Sequence, residues 1–349
     1  MKVCVLTGSR IPVAETERWK DFLAEMAVKG ISCDQHYLQT PGSSSPLELL
    51  NDPLFSNQFQ QLFNRQRIRF ALLEVNANHS DPSEPPAWLE RIHWRPAAGT
   101  GIQDIIKQLH SVDVAWIHIW WPPSGPASPA AKRLCGTETA DDDSDRDELL
   151  FFRRFIDELC VHNSHDQAAA AQYEGRLNIV TFLGGQPFEI PDRFETLLSE
   201  CTIRVPCFLQ QAQTEARRVG TISGTRDLCA TILEALKEPC GDELIEESLP
   251  SADNDAPIPL QQLLSGRSSL QCPNSRWIPI RGTEIRAVRS ADFLYVESAA
   301  AVEYPSDGQQ ASVALYAKPD DVQNVHNVAG DYPSVTEAFH EHLHRQHGS

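Results

Sequence analysis

The C-terminal end of the chain carries His340-Glu341-His342-Leu343-His344, a run with histidines at its first and fifth positions. On a helix this spacing puts both imidazoles on one face, as in zinc peptidases that have an HExxH motif. The motif lies within ten residues of the C-terminus, and neither a core strand nor a third ligand follows it. The sequence therefore favours a polar terminal helix over a zinc centre.

A serine and a histidine elsewhere in the chain could also take part in chemistry. Ser44 stands two residues before Pro46, in a run of three serines at the start of a candidate helix. Serine is also a preferred helix N-cap, so a turn and a cap are the alternative interpretation. His118 lies near the end of an apolar run, where a hydrogen-bonded core residue is the alternative to a functional one. We find no glycine-rich phosphate loop and no GxSxG motif.

The elements that must position these residues alternate between strands and helices. Apolar runs of strand length lie at residues 2–7, 31–37, 69–75, 112–120, 177–183 and 203–209. Helical periodicity is found between several of them, at residues 19–27, 149–161 and 225–237. Gly30 follows the first helix where a C′ glycine is expected. Such alternation predicts a three-layer α/β/α fold with a mostly parallel sheet.

The pattern changes after residue 240. Residues 240–257 form an acidic stretch with proline, which is typical of a linker or a long loop. Short strand candidates follow at residues 284–289, 293–297 and 311–317, and Ser334-Val335-Thr336-Glu337 has the form of a capping box before a last helix. We therefore predict a core over residues 1–240 and a C-terminal subdomain over residues 241–349 with a small antiparallel sheet.

The charge of the chain excludes one class of partner. The net charge is −18, whereas binding to nucleic acid requires a basic face. Seven carboxylates lie within residues 138–148 and six within residues 242–255, which is typical of solvated loops. Consecutive aspartates on a loop rarely converge on one ion.

The location of the protein is predicted from its apolar segments and cysteines. The N-terminal run is too short for a signal peptide, and no segment approaches the roughly 20 apolar residues of a membrane span. Nine cysteines without a CxxC pair favour reduced, buried thiols. We expect a cytoplasmic protein that binds neither a membrane nor nucleic acid.

Four stretches, taken in order, resemble the sulfatase family of the alkaline phosphatase superfamily. They include a first strand that ends at Thr7-Gly8-Ser9-Arg10, the Ser-x-Pro element, a strand that ends in Leu183-Gly184-Gly185, and the strand Ile203-Arg204-Val205-Pro206. The closing segments at residues 285–289, 315–321 and 327–329 are similar to that family as well. Residues 76–110 resemble nothing that we can place.

The resemblance implies a calcium-dependent sulfuric ester hydrolase, whose motif residues are degenerate here. Thr7 and Gly8 stand where the family has two aspartates, and Leu183 and Gly184 stand where it has Asp and then His or Asn. Ser44 matches the nucleophile position, which the family oxidises to formylglycine, but Glu48 replaces the arginine of that motif. His118 corresponds to a residue that contacts the sulfate.

These differences favour a protein that has lost metal-dependent hydrolysis and serves as a binding or regulatory protein. Its expected partner is a small anion, a sugar or another protein, and no cofactor is expected. The alternative is an active sulfuric or phosphoric ester hydrolase with a rearranged calcium site, drawing ligands from Asp34, Glu189 or residues 76–110. A third interpretation is an unrelated α/β binding domain.

Overall fold

A computed structural model of the chain describes the elements that surround the predicted site. It covers residues 1–9, 16–40, 45–75, 84–94, 111–120, 176–184, 200–211, 216–236, 257–260, 276–281, 285–298, 313–321 and 324–345, with the single residues 109, 153, 156, 198 and 262. Ser44, Glu189, the acidic stretches and almost all of the predicted helix at residues 149–161 lie outside these ranges.

The predicted strands, and the predicted helices that fall within these ranges, are present together with further elements that were not predicted. The strands are β1 (Val3–Gly8), β2 (Ile31–Tyr37), β3 (Phe70–Val75), β4 (Leu89–Trp94), β5 (Val114–Ile119), β6 (Leu177–Phe182), β7 (Arg204–Gln211), β8 (Arg217–Val219), β9 (Ser223–Gly224), β10 (Ile278–Arg281), β11 (Ile285–Arg289), β12 (Phe293–Ser298) and β13 (Val313–Ala317). The helices are α1 (Thr16–Lys29), α2 (Pro46–Leu50), α3 (Pro53–Gln66), α4 (Glu200–Ile203), α5 (Thr225–Leu236) and α6 (Pro333–Arg345).

Nine of the described strands form one large sheet. Its order is β4-β3-β5-β1-β6-β7-β2-β8, and β9 also pairs with β2. Among these strands β7 alone runs antiparallel to its neighbours, while β1 is parallel to both β5 and β6. The prediction of a mostly parallel sheet is confirmed.

Helices cover both faces of this sheet. Val3 and Val5 of β1 pack into one core cluster with α2, α3 and α5, while Cys4 and Leu6 pack into a second cluster with α1. Because successive strand residues point to opposite faces, Thr7 lies on the same face as Val5. The central strands β1, β3, β5 and β6 are buried on both sides, which explains their nearly continuous apolar sequences.

Gly30 follows α1 as predicted, but its physical role is different. A Cβ atom at this position would clash with the backbone carbonyl of Leu209 in β7. Glycine is therefore required by the close approach of two chain segments. At the other end of the chain, α6 begins at Pro333, so Ser334 lies inside the first turn and not at the predicted cap.

The predicted small antiparallel sheet is present, with the order β10-β11-β12-β13. One of its faces shares an apolar cluster with the large sheet, and α6 packs on the other face. Buried polar contacts also join the two sheets. Arg289 of β11 binds Glu200 at 3.1 Å and donates a hydrogen bond to the Tyr37 hydroxyl at 3.0 Å. The domain boundary at residue 240 stays a prediction, since residues 237–256 are not described.

Two further expectations concern the whole chain. None of the described helices has both the length and the apolar character needed to cross a bilayer. The four cysteines whose side chains are described are buried, as the cysteine pattern indicates; these are Cys4, Cys33, Cys207 and Cys229.

Candidate functional site

Polar side chains form a row across the carboxyl ends of four neighbouring strands. Thr7 of β1 is in register with His118 of β5 on one side and with Thr181 of β6 on the other, and Glu74 of β3 is in register with His118. All four side chains are fully buried. Ligands of open α/β sheets bind at this edge, so the row marks the candidate site.

The Thr7 hydroxyl joins two aromatic residues of β5. Trp116 Nε1 donates a hydrogen bond to Thr7 Oγ1 at 2.9 Å, and the same oxygen lies 2.8 Å from His118 Nδ1. The His118 ring also packs edge-on against Trp120, with centroids 4.7 Å apart. The position that the resemblance assigns to a metal-binding aspartate is therefore part of a hydrogen-bonded aromatic cluster.

The neighbouring positions contribute backbone contacts and apolar packing. Leu183 donates its backbone N–H to the carbonyl oxygen of Gly8 at 2.9 Å, which joins the ends of β6 and β1. The Leu183 side chain is 3% exposed and belongs to the main core cluster. Gly184 follows directly and is partly exposed.

These residues do not fit a calcium ion. Calcium takes about six to eight oxygen ligands, with carboxylates prominent among them. Thr7, Gly8, Leu183 and Gly184 carry no carboxylate, and the Thr7 hydroxyl is already hydrogen-bonded. These four positions therefore supply no calcium site at this edge of the sheet.

Glu74 was missed by the sequence analysis, although it interrupts the apolar run of β3. Its carboxylate lies 2.6 Å from Arg91 Nε and 3.2 Å from His93 Nδ1, both on the edge strand β4. Trp120 Nε1 donates to its other oxygen at 3.2 Å. Residues 89–94 belong to the region that sequence comparison could not place, so this region supplies the counter-charge of a buried carboxylate.

Helix α2 begins beside the predicted nucleophile position. Ser45 is its N-cap, and the Ser45 hydroxyl accepts a hydrogen bond from the Leu47 backbone N–H at 3.2 Å. The capping alternative thus holds for Ser45. Ser44 lies outside the described residues, so its role stays a prediction. The resemblance also leads us to expect that Thr7, Gly8, Ser44, His118 and Gly184 surround one pocket, and this stays a prediction because Ser44 is not described.

A cleft of about 180 Å³ lies between the end of β2, α2 and β10. Its lining has charges of both signs, in Glu48, Asp52, Arg226 and Arg281, together with four other residues: Gln39, Thr40, Leu49 and Pro279. Arg226 is bound to Asp52 at 2.6 Å. Glu48, which stands at the position of the family's arginine, is exposed at this cleft.

Asp34, one of the alternative metal ligands, takes part in local structure. Its carboxylate accepts a hydrogen bond from the Ser32 hydroxyl at 3.3 Å, and its backbone carbonyl accepts one from Arg204 Nε at 2.8 Å. It lies at the irregularity in the pairing of β2 with β7, between Cys33 and His36. The other alternative ligand, Glu189, is outside the described residues.

Comparison with known proteins relates this fold to solved structures. The sequence matches no model of a known protein family and no curated protein sequence. The structure is similar to the PsFucS1 sulfatase from Pseudoalteromonas sp., with a TM-score of 0.62, 13% identity, and coverage of 99% of this chain and 89% of that chain.

Two other solved structures are similar over nearly the same span. The phosphonate monoester hydrolase SpPMH from Silicibacter pomeroyi has a TM-score of 0.59 and 12% identity, over 99% of this chain and 94% of that chain. A protein in the alkaline phosphatase superfamily from Vibrio parahaemolyticus has a TM-score of 0.54 and 10% identity, over 95% of this chain and 86% of that chain. The chain therefore has the sulfatase-like α/β fold of the alkaline phosphatase superfamily.

Proposed function

We propose that this protein keeps a sulfatase-like fold without metal-dependent ester hydrolysis and acts by binding a small ligand. The observation that carries the proposal is the hydrogen-bonded cluster of Thr7, Trp116 and His118 at the end of β1. A hydrolase of this class needs anionic ligands there to hold its cation. This chain has a neutral hydroxyl instead, and the hydroxyl contributes to the packing of two strands.

The exposed carboxylate of Glu48 supports the same conclusion. In the sulfatase motif this position holds a cation that stabilises the sulfate and the nucleophile. A carboxylate there repels a sulfate or phosphate group, since like charges near one another are unfavourable. Glutamate in place of arginine therefore disfavours binding of a sulfate ester and also disfavours the transition state of its hydrolysis.

The cleft beside Glu48 supplies the binding site in this proposal. Its lining combines two carboxylates, two guanidinium groups, an amide and a hydroxyl. Because the charges balance, a neutral polyhydroxylated ligand such as a sugar suits it better than a dianion. Side chains of these types can both donate to and accept from hydroxyl groups.

Turnover of aryl esters tests the loss of hydrolysis. The purified full chain is assayed with 4-nitrophenyl sulfate and 4-nitrophenyl phosphate, with and without millimolar calcium, beside an active sulfatase as positive control. We expect no turnover above buffer and no effect of calcium on the melting temperature. Calcium-dependent turnover that Ser44→Ala abolishes would overturn the proposal.

Binding is tested separately by isothermal titration with neutral and sulfated monosaccharides and disaccharides. Glu48→Ala should weaken binding of a neutral sugar, while Glu337→Ala, an exposed glutamate on α6, should leave it unchanged. If sulfated sugars bind more tightly than neutral ones, or if both variants behave alike, the cleft is not the site that we propose.

A second candidate function is an ester hydrolase with a rearranged site, which the position of Glu74 favours. This buried carboxylate lies in register with His118 and 3.2 Å from His93, so acid–base groups are concentrated at the correct edge of the sheet. Turnover without added metal that Glu74→Gln abolishes, in a variant that is still folded, would support this candidate.

A further inference from the structure

Three side chains with metal-binding atoms meet between the small sheet and the last helix. Glu297 Oε2 of β12 lies 3.1 Å from His340 Nδ1, and Glu297 Oε1 lies 3.1 Å from His344 Nε2. One ligand atom from each residue lies within 4.8 Å of the other two. The histidines are four residues apart on α6, so they share the helix face that is turned to β12.

The sequence predicts a polar terminal helix because no third ligand follows the HExxH run. The fold brings the third residue from upstream instead. Phe339 and Leu343 anchor α6 on the sheet face that carries Tyr295, and Glu297 lies two residues further along the same strand. The histidines therefore reach a carboxylate 43 residues before His340.

The burial of Glu297 indicates that its charge must be balanced locally. Its side chain is 3% exposed, and an ionised carboxylate in such surroundings needs a positive partner. Arg286 is its cross-strand neighbour on β11. Within the described part of the chain, however, no lysine or arginine nitrogen lies within 4.0 Å of its oxygens. The two imidazoles are the basic groups that do approach it.

The geometry of the Glu297–His344 pair is unusual for a hydrogen bond. Glu297 Oε1 and His344 Nε2 are 3.1 Å apart, yet neither atom makes a hydrogen bond with acceptable angles to any residue that the structure describes. Both atoms are buried. Two ligands of one tetrahedral zinc ion, with bonds of about 2.0–2.1 Å, lie about 3.3 Å apart, which is close to the observed spacing.

We propose that Glu297, His340 and His344 form a Zn²⁺ site that fastens α6 to β12. Two imidazoles and one carboxylate are a donor set that zinc prefers. Tyr295 donates its hydroxyl to Glu297 Oε2 at 3.0 Å and orients that ligand, as residues around metal ligands commonly do. The His340 side chain is 53% exposed, which leaves room for water as a fourth ligand.

Glu341, the glutamate of the HExxH motif, is not placed for peptidase chemistry. In zinc peptidases the glutamate after the first histidine acts as general base beside the metal. Here the Glu341 side chain is 60% exposed, and its carboxylate lies 3.6 Å from Arg345 of the same helix. The site therefore binds zinc and attaches α6 to β12, and it does not carry out hydrolysis.

Zinc titration of the untagged full chain tests the proposal. After treatment with a chelator and its removal, Zn²⁺ is added in competition with a chromogenic chelator, and metal content is measured after dialysis. We expect one zinc ion per chain and a rise in melting temperature, since a ligand that binds the folded state stabilises it. His340→Ala, His344→Ala and Glu297→Gln should each weaken binding at least about 100-fold, and Tyr295→Phe about 10-fold.

His342→Ala is the matched control, because His342 belongs to the same helix but packs edge-on against Trp277. It should keep the affinity and the stoichiometry of the wild type. Circular dichroism establishes that each variant is folded, and the His340 side chain is the more exposed of the two imidazoles, at 53% against 35% for His344. Absence of zinc binding in the wild type would overturn the proposal, as would equal affinity in His340→Ala and His342→Ala.

Discussion

Thr7 at the end of β1 and His118 at the end of β5 lie opposite each other, with Thr7 Oγ1 2.8 Å from His118 Nδ1. The two residues are 111 positions apart in sequence and meet only because their strands are parallel neighbours. Trp116 completes the cluster from the same face of β5. The cluster therefore joins two central strands at the edge where ligands of this fold class bind.

The coupling between Thr7 and Trp116 can be measured with a double-mutant cycle. Thr7→Val leaves the buried indole N–H without its acceptor, which should cost about 1–3 kcal/mol of unfolding free energy. Trp116→Phe removes the donor together with packing. Urea unfolding of the two single variants and the double variant should give an interaction energy of about 1 kcal/mol. Strictly additive effects would show that the hydrogen bond contributes nothing.

Glu74 and Arg91 form a buried ion pair that should respond strongly to removal of one partner. Glu74→Gln leaves the guanidinium of Arg91, which is 11% exposed, without its carboxylate and should cost about 3 kcal/mol. The double variant Glu74→Leu, Arg91→Met removes both charges and should be more stable than Glu74→Gln. Urea unfolding provides the measurement.

The exposed pair of Arg69 and Glu90 is the matched control for this experiment. Its side chains are about half exposed, and Glu90→Gln should change stability by less than about 0.5 kcal/mol. Equal losses of unfolding free energy in Glu74→Gln and Glu90→Gln would show that burial does not increase the cost of breaking an ion pair here.

The centre of the large sheet could be predicted because strands β1, β3, β5 and β6 are buried on both faces. Phe70–Val75 is an apolar run with one charged residue, and such runs are recognisable without knowledge of their neighbours. The order of the strands and the partners of Glu74 could not be predicted in the same way. Arg91 and His93 lie on an edge strand with a mixed sequence, whose pairing follows from the tertiary fold.

The cluster of Glu297, His340 and His344, near the other end of the chain, could not be predicted from the sequence either. The two histidines are visible in the sequence as an i, i+4 pair. The carboxylate that meets them is placed by the register of β12 and by the packing of Phe339 of α6 against the small sheet. Sequence spacing alone contains neither relationship, so the pair looked like part of a solvated helix.

The buried thiols should be protected from alkylation in the folded protein. Cys33 and Cys207 lie opposite each other on β2 and β7, and the hydrogen bond with Cys33 together with burial raises the pKa of Cys207. Burial also raises the pKa of Cys229 on α5. Because the thiolate is the reactive form, iodoacetamide at pH 8 should label these residues only after urea is added.

Mass spectrometry of tryptic peptides gives the extent of labelling at each cysteine. Val28→Cys provides the control, because Val28 is 76% exposed and a thiol there should react in the folded state. Rapid labelling of Cys207 without denaturant would show that β2 and β7 separate readily, contrary to their buried pairing.

His36 should make the stability of the protein sensitive to mild acid. The residue is fully buried on β2, where Nδ1 lies 2.9 Å from the Ser223 hydroxyl. Burial, with a smaller contribution from the charge of Arg276, lowers the pKa of His36 from 6.5 to about 3. The unfolded chain binds a proton near pH 6.5, whereas the folded chain does not. As pH falls from 6.5 towards 3, the unfolding free energy should therefore decrease by up to about 1.4 kcal/mol per pH unit from this group.

The variant His36→Gln isolates this contribution from the other titrating groups. Glutamine can still hydrogen-bond the Ser223 hydroxyl but does not titrate, so the loss of stability with falling pH should be less steep than in the wild type. Urea unfolding at pH 7, 6 and 5 gives the slopes. His326→Gln replaces an exposed histidine and should keep the wild-type slope. Parallel slopes for wild type and His36→Gln would mean that His36 is protonated as readily in the folded protein as in the unfolded chain.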